Sequence, residues 1–352
     1  MEKARKGFYE SVKILKDSFL LLHASKENVK MHDMVRDVAL QITSKMGQAI
    51  LTSNLMDLRK LVEDENIKDK KEIYIWDLKN SQVLNDDHLN CLSPSLEILV
   101  LQSLKVGLEV SNASLEKLKK LKVLAFLTHG YHWYQIPSLF TLSLPHSLGS
   151  LENLHTLCLR GYKLGSISIL ESLRALEILD LRGSSFEELP NGIVELKKLK
   201  LVDLYDCQII KNNAFKVTEG CLQLEELYLC PLFEEEIIPH DVPFLSKLQR
   251  KLGLGSYPKL VSLFMPCIVQ TLEQLEVLNI HDCNDLKHII EQSEEKSADY
   301  FPKLKSLDIG NFKELEYILG LAKLEEVNIR DNCNLKYVFG RERNITIKLI
   351  FK

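Results

Sequence analysis

Four segments constrain this chain more than any other feature. LENLHTLCL (151–159), LRALEILDL (173–181), LKKLKLVDL (196–204) and LQLEELYL (222–229) repeat one pattern, LxxLxxLxL with minor variation. Taking the last apolar residue of each as a marker gives Leu159, Leu181, Leu204 and Leu229, spaced 22, 23 and 25 residues apart. Further markers stand at Ile75, Leu101 and Phe126 upstream and at Leu254, Ile280, Ile309 and Ile329 downstream, about eleven units in all. Self-similarity at such a period outranks any local reading of helix or strand. Each LxL segment is expected as a short strand, with apolar side chains pointing inward and the alternating residues outward. One unit cannot bury its own face, so neighbours must stack into a continuous core.

This is the leucine-rich-repeat period. The expected fold is α/β: a leucine-rich-repeat solenoid over 71–340, with a curved parallel sheet on its concave face. The last four units repeat apolar residues six and nine positions after the marker: Leu260 and Leu263, Leu286 and Ile289, Leu315 and Ile318, Leu335 and Val338. The middle units use another variant, LDLRGSSFEELPNGIVELKKLKLVDL (179–204), in which Phe186, Leu189 and Ile193 fill the convex half and Pro190 stops regular pairing. Three positions after the marker stand Cys207, Cys283 and Asn332, where a small polar side chain can bond neighbouring backbone; Tyr162, Ser184, Tyr257 and Phe312 take the place elsewhere. The interval from Phe126 to Leu159 is 33 residues. Its excess carries Tyr131, His132, Trp133 and Tyr134, either a contact surface or a loop packed over its own unit.

A formal net charge of -4 and a pI near 6.2 give no general electrostatic case for nucleic acid or anionic membrane as partner. No apolar run approaches the roughly 18 residues of a transmembrane segment. The start, MEKARKGFYE, lacks the apolar stretch of a signal peptide, so a cytoplasmic location is expected. The eight cysteines are scattered and form no CxxC, which suits small buried thiols in a reducing compartment and no metal site. Two glycosylation sequons, at Asn112 and Asn344, carry no meaning without secretion.

Residues 1–45 follow other rules. Phe8, Val12, Leu15, Phe19 and Leu22 recur at helical steps, then LLLHASKENVKMHD reads as an apolar strand, a polar turn and a return strand. A second helix carries Val35, Val38, Ala39 and Ile42 on one face. Asp33 is a good N-cap for it, and His32 lies just outside its start. Helix, hairpin and helix in this order look like a partial winged-helix segment.

Met31-His32-Asp33 followed by MVRDVALQI resembles the MHD motif of plant nucleotide-binding leucine-rich-repeat disease-resistance proteins of the coiled-coil class. The helix GFYESVKILKDSFLLL and the repeats LEILDLRGSSFEELP and LEVLNIHDCNDLKHII also look like that class, so the resemblance covers nearly the whole chain. The residues divide into a partial winged-helix subdomain at 1–45, a linker at 46–70, the solenoid at 71–340 and an irregular tail at 341–352, whose alternating Ile345, Ile347, Leu349 and Phe351 form either a terminal strand or a run-on after the repeats. The resemblance implies an immune switch controlled by ADP and ATP, with nucleotide sensing at His32 and Asp33. The 352 residues contain no GxxxxGK[ST] loop and no Gly-Lys pair. The phosphate-binding loop supplies most of the affinity for a nucleotide, so this chain alone is expected to bind neither ADP nor ATP. The family's nucleotide pocket would precede residue 1, and truncation is the expected account.

The expected function is defence by protein–protein recognition and, beside a nucleotide-binding domain, autoinhibition. Candidate contacts are the outward residues of the concave strands: Arg160, Asp180, Arg182, Asp203, Tyr205, Glu226, Tyr228, Asn279, His281, Glu326, Asn328 and Arg330. Each alone reads more simply as a solvated strand residue, and it is the set that marks the surface. The partners implied are the nucleotide-binding domain of the same class, a pathogen effector or a guarded host protein. A non-immune intracellular scaffold, or an inactive fragment, is the alternative. The acidic loop Glu234-Glu235-Glu236 could meet a basic partner, although solvation explains it as well. No enzyme is expected: His281-Asp282-Cys283 alternate faces on a strand and cannot close into a dyad.

Overall fold

All eleven markers lie on the buried side of one parallel sheet. In the computed structural model none is more than 4% exposed. The structure describes residues 2–17, 21–23, 29–31, 49–52, 70–78, 92–103, 115–128, 140–211, 214–218, 220–229, 248, 250–255, 262–264, 269, 272–290, 301–315, 317–318, 324–330, 337–338 and 346–350. Helix α1 (Glu2–Asp17) precedes an antiparallel hairpin, β1 (Leu21–His23) on β2 (Val29–Met31), in the order expected. Phe8 is 65% exposed, so the apolar stripe of α1 is not packed away among the described residues. His32, Asp33 and the expected second helix lie outside the described residues.

Among the described residues the large sheet has thirteen strands: β3 (Ala49–Thr52), β4 (Glu72–Leu78), β5 (Ile98–Ser103), β6 (Val123–Thr128), β7 (Thr156–Arg160), β9 (Ile178–Asp180), β11 (Leu201–Leu204), β13 (Glu226–Leu229), β14 (Lys251–Gly255), β16 (Val277–His281), β18 (Ser306–Gly310), β20 (Glu326–Arg330) and β22 (Thr346–Ile350). Its register is that of the markers. Ile75 faces Leu101, Leu101 faces Phe126, and Phe126 faces Leu159. Further along, Leu204, Leu229, Leu254, Ile280, Ile309 and Ile329 pair in unbroken succession. One domain boundary is corrected. Part of the expected linker 46–70 is strand β3, with Thr52 opposite Ile75, and within the tail 341–352 the terminal-strand reading holds, because Thr346–Ile350 is β22, with Leu349 opposite Ile329. Short apolar segments at both ends find ladder partners in the neighbouring unit, and that outweighs their lack of the leucine pattern.

The leucines before each marker complete the core. Leu173, Leu176, Leu179 and Leu181 are each at most 1% exposed, and the same four places in the unit before, Leu151, Leu154, Leu157 and Leu159, are equally buried. Burial of this kind is worth about 1.5–3 kcal/mol per side chain, upper bounds for folding.

The two sequence variants fold back differently on the convex side. In the middle units β8 (Lys163–Gly165), β10 (Ser185–Phe186) and β12 (Gln208–Ile209) pair soon after the marker. In the last units β15 (Ser262–Phe264) pairs with β17 (His288–Ile290), and β19 (Tyr317–Ile318) with β21 (Tyr337–Val338). Leu263, Ile289, Ile318 and Val338, the apolar residues nine places after their markers, all sit in these later strands. Single 3-10 turns at His146–Ser150, Ser168–Ser172 and Asn191–Glu195 cross the middle units, the last beginning after Pro190. Helix is otherwise sparse, with α2 (Ala214–Thr218) the second α-helix among the described residues.

Five units turn off the sheet two residues after the marker in the left-handed region. Gly161, Gly183, Asp206, Asp282 and Asn311 hold φ of 80, 67, 57, 58 and 58°. Glycine, aspartate and asparagine are the residue types that tolerate this backbone. The next residue ties the unit to the one before: Ser184 Oγ donates to the Leu159 carbonyl at 2.6 Å, and Cys207 Sγ to the Leu181 carbonyl at 2.9 Å. The small polar residues at this turn do act on neighbouring backbone.

A second ladder was not anticipated. Four residues before the markers stand Lys71, Glu97, Lys122, His155, Glu177, Lys200, Glu225, Arg250, Glu276, Lys305 and Glu325, each after Lys71 donating its backbone N–H to the carbonyl of the rung before. Their charges alternate in sign on both sides of His155. Glu97 bridges Lys71 (3.2 Å) and Lys122 (2.6 Å), Lys200 meets Glu177 at 2.8 Å, and Glu276 lies between Arg250 (3.7 Å) and Lys305 (3.2 Å).

Candidate functional site

Alternation along the strands sends one row of residues to the concave face, and register places them side by side. Asp180 lies opposite Asp203, Asp203 opposite Tyr228, Tyr228 opposite Gly253, Gly253 opposite Asn279, Asn279 opposite Asp308, and Asp308 opposite Asn328. A second row, two residues further on, carries Arg160, Arg182, Tyr205, Gly255, His281, Gly310 and Arg330.

Side chains of neighbouring units interlock across these rows. Arg160 donates to Asp180 Oδ2 through Nε at 2.8 Å and through Nη2. Arg182 does the same to Asp203 Oδ2, through Nε at 3.1 Å and Nη2 at 2.7 Å. The other oxygen of each aspartate caps its own turn: Asp180 Oδ1 accepts the Arg182 N–H and Asp203 Oδ1 the Tyr205 N–H. Further along, Arg330 Nη2 meets Asp308 Oδ2 at 2.7 Å, with His281 Nε2 4.0 Å from Asp308 Oδ1.

Aromatic rings fill the centre. The Arg182 guanidinium lies 5.5 Å from the centre of the Tyr205 ring, and Lys251 Nζ lies 5.2 Å from that of Tyr228. Both rings rest on glycines. A Cβ at Gly255 would come within 2.8 Å of Tyr205 Cε2, and one at Gly253 would collide with Tyr228 Cδ1. The Tyr228 hydroxyl donates to Glu226 Oε2 at 3.3 Å.

Vertical order separates the charges. The Arg160, Arg182 and Arg330 side chains are 40%, 32% and 32% exposed, against 7%, 6% and 14% for Asp180, Asp203 and Asp308. Glu226 is buried as well, while Lys251 is half-exposed. Burial, with Asp180 opposite, pushes the Asp203 carboxyl above its usual range, against the pull of Arg182. The arginines' ion pairs raise theirs despite burial. Cys158, which faces Asp180 across the strands, is pushed up to about 12 by burial first and the aspartate second.

Five of the twelve expected contact residues are therefore corrected. Asp180, Asp203, Tyr205, Glu226 and Asn328 are buried, the first three under the arginines of the unit before, and they support the face rather than present it. Arg160, Arg182, Tyr228, Asn279, His281, Glu326 and Arg330 remain half-exposed on it. Lys251 and Asp308 belong to the same face and were missed, although the alternation in KLGLG and SLDIG would have found them. His281, Asp282 and Cys283 do not converge: Cys283 Sγ donates to the His281 carbonyl, and Asp282 Oδ1 accepts from Asn311. Tyr131, His132, Trp133, Tyr134, Glu234, Glu235 and Glu236 lie outside the described residues. Among the described residues no three His, Cys, Asp or Glu are grouped to hold a metal ion, and no helix is long and apolar enough to cross a membrane.

No family model matches the chain. Disease resistance protein At4g27190 of Arabidopsis thaliana is 29% identical to it over 221 residues, 62% of this chain and 21% of that protein. Disease resistance protein RPS5 of the same plant is 26% identical over 363 aligned positions, 90% of this chain and 38% of that protein. The chain thus spans about a fifth to two fifths of the length of these curated relatives. Among solved structures, an internalin of Listeria monocytogenes superposes with a TM-score of 0.52 at 18% identity, over 80% of this chain and 77% of that one, a likeness of fold alone. The chain is a leucine-rich-repeat solenoid related over most of its length to plant disease-resistance proteins.

Proposed function

We propose that the chain acts in plant defence by recognising a protein through its concave face, and that beside a nucleotide-binding domain the same face holds that domain in its resting state. The carrying observation is the braced row of half-exposed Arg160, Arg182, Tyr228, His281 and Arg330 on a rigid sheet, in a chain whose relatives are disease resistance proteins. Many adjacent side chains held in place by neighbours suit an extended protein contact. The chain works by binding, not catalysis, in the cytoplasm, and alone it binds neither ADP nor ATP. His32 and Asp33 sense nucleotide only with a phosphate-binding loop beside them.

The test is co-precipitation with the nucleotide-binding region of a relative such as RPS5. Replacing Arg160, Arg182 and Tyr228 together is expected to weaken capture while circular dichroism stays unchanged. Unaltered capture overturns the assignment of this face. Calorimetric titration of the chain with ADP is expected to show no heat of binding, and a micromolar constant would refute that part.

A further inference from the structure

We infer that the concave face selects an acidic protein segment, one presenting several Asp or Glu carboxylates. The inference rests on the reading of that face as the recognition surface and names the chemistry of its partner. By formal charge the face is not basic: Arg160, Arg182, Lys251 and Arg330 stand against Asp180, Asp203, Glu226, Asp308 and Glu326. Depth sorts the charges. Asp180, Asp203 and Glu226 are buried against the sheet, Asp308 is 14% exposed and Glu326 is half-exposed at the far end, while Arg160, Arg182 and Arg330 lie over their aspartates toward solvent and Lys251 is half-exposed. Short of Glu326, a partner approaching along the face meets guanidinium and ammonium groups first.

The arginines turn their Nε and Nη2 atoms to the aspartates below in the Arg160 and Arg182 pairs. A guanidinium has five N–H donors in a planar fork, so each can bond a second carboxylate from the solvent side. Arg182 and Lys251 also stand over the Tyr205 and Tyr228 rings, which keeps the two cations in fixed positions. Protein carboxylates fit better than nucleic acid. A polyphosphate backbone is held by many unpaired cations acting at range, whereas here the buried acids cancel the distant field and leave only short-range donors.

The test uses the full chain and fluorescence anisotropy with three labelled probes: a poly-glutamate peptide, a poly-lysine peptide and single-stranded oligothymidylate. Poly-glutamate is expected to bind and poly-lysine not. The decisive variant replaces Arg160→Gln, Asp180→Asn, Arg182→Gln and Asp203→Asn together. It removes two cations and two anions, so the formal net charge stays at -4. The inference expects a loss of roughly tenfold or more in poly-glutamate affinity, a factor within reach of two charged contacts. Unchanged affinity overturns it, as does oligothymidylate binding as tightly as poly-glutamate. Should that variant not fold, Asp308→Asn with Arg330→Gln asks the same question at the other end. Capture of a relative's nucleotide-binding region that depends on Arg160 and Arg182, without poly-glutamate binding, would sink this inference alone. Capture independent of both would sink the underlying reading too.

Discussion

Asp203 joins two units at once: its Oδ2 accepts Nε (3.1 Å) and Nη2 (2.7 Å) of Arg182 from the unit before, and its Oδ1 accepts the Tyr205 N–H (3.0 Å) that turns its own strand. Arg182→Met leaves the buried carboxylate uncompensated and is expected to cost about 1–3 kcal/mol, less than a fully buried pair because Arg182 is about a third exposed. Arg182→Met with Asp203→Asn should recover part of the loss, since the pair then leaves no uncompensated carboxylate. Urea denaturation of the single and double variants measures both.

The same pair sets a pH dependence. Asp203 sits above its ordinary carboxyl range in the fold, by burial first and Asp180 second, while Arg182 pulls the other way. A carboxyl raised by folding binds its proton more tightly folded than unfolded. Its stabilising term is full below the unfolded value and is lost as pH rises through the folded value. Without Arg182 the folded value climbs further, so Arg182→Met is expected to lose more stability than the parent between acid and neutral pH. Asp203→Asn in that background should flatten the difference. Parallel curves for parent and Arg182→Met would contradict this assignment.

The alternating rungs make their own prediction. Glu97→Lys puts three cations in succession, Lys71, the new lysine and Lys122, and Glu97 now accepts from both neighbours, which holds its carboxyl below the usual range. Amide exchange in β4, β5 and β6 is expected to quicken. The effect should shrink in about 1 M salt, where the screening length falls to about 3 Å. His155 separates this block from the acidic rung Glu177, so inverting the whole block (Lys71→Glu, Glu97→Lys, Lys122→Glu) should restore protection. If the triple variant exchanges as fast as the single one, the rungs do not act through charge.

Much of this was legible in the residues. The markers at 20–33-residue intervals gave strand positions and register together, because a leucine buried in one unit must meet its counterpart in the next. Strand β3 was not legible, since AILT is too short to show a period, whereas the alternation of Ile345, Ile347, Leu349 and Phe351 already offered β22 as one of two readings. The depth of Asp180 and Asp203 was hidden for another reason: each is covered by an arginine about twenty residues earlier, and no local pattern reports that. The charge ladder was visible in principle, but the 33-residue interval at His155 breaks its phase.

Gly183 holds φ of +67° where the strand leaves the sheet. Gly183→Ala forces an L side chain into the left-handed region and is expected to destabilise by about 1–2 kcal/mol. Gly183→Asn should cost less, because asparagine tolerates this backbone and already serves at the equivalent Asn311. Thermal denaturation of the two variants should rank alanine below asparagine. The reverse order would mean that space, not backbone angle, decides the site.

Thiol reactivity reads the concave face directly. Burial and the neighbouring Asp180 push Cys158 up to about 12, and burial pushes Cys221 to about 11. Only the thiolate attacks an alkylating agent, and an ordinary thiol has a pKa near 8.5. At about pH 8 native Cys158 should therefore react with iodoacetamide roughly a thousandfold more slowly than a free thiol, and its rate should climb about tenfold per pH unit. Asp180→Asn removes the charge that adds to the rise, so it should speed labelling of Cys158 and leave Cys221 unchanged. Peptide mass spectrometry resolves the two sites. Equal acceleration at both would indicate general opening of the solenoid instead of a local field on the concave face.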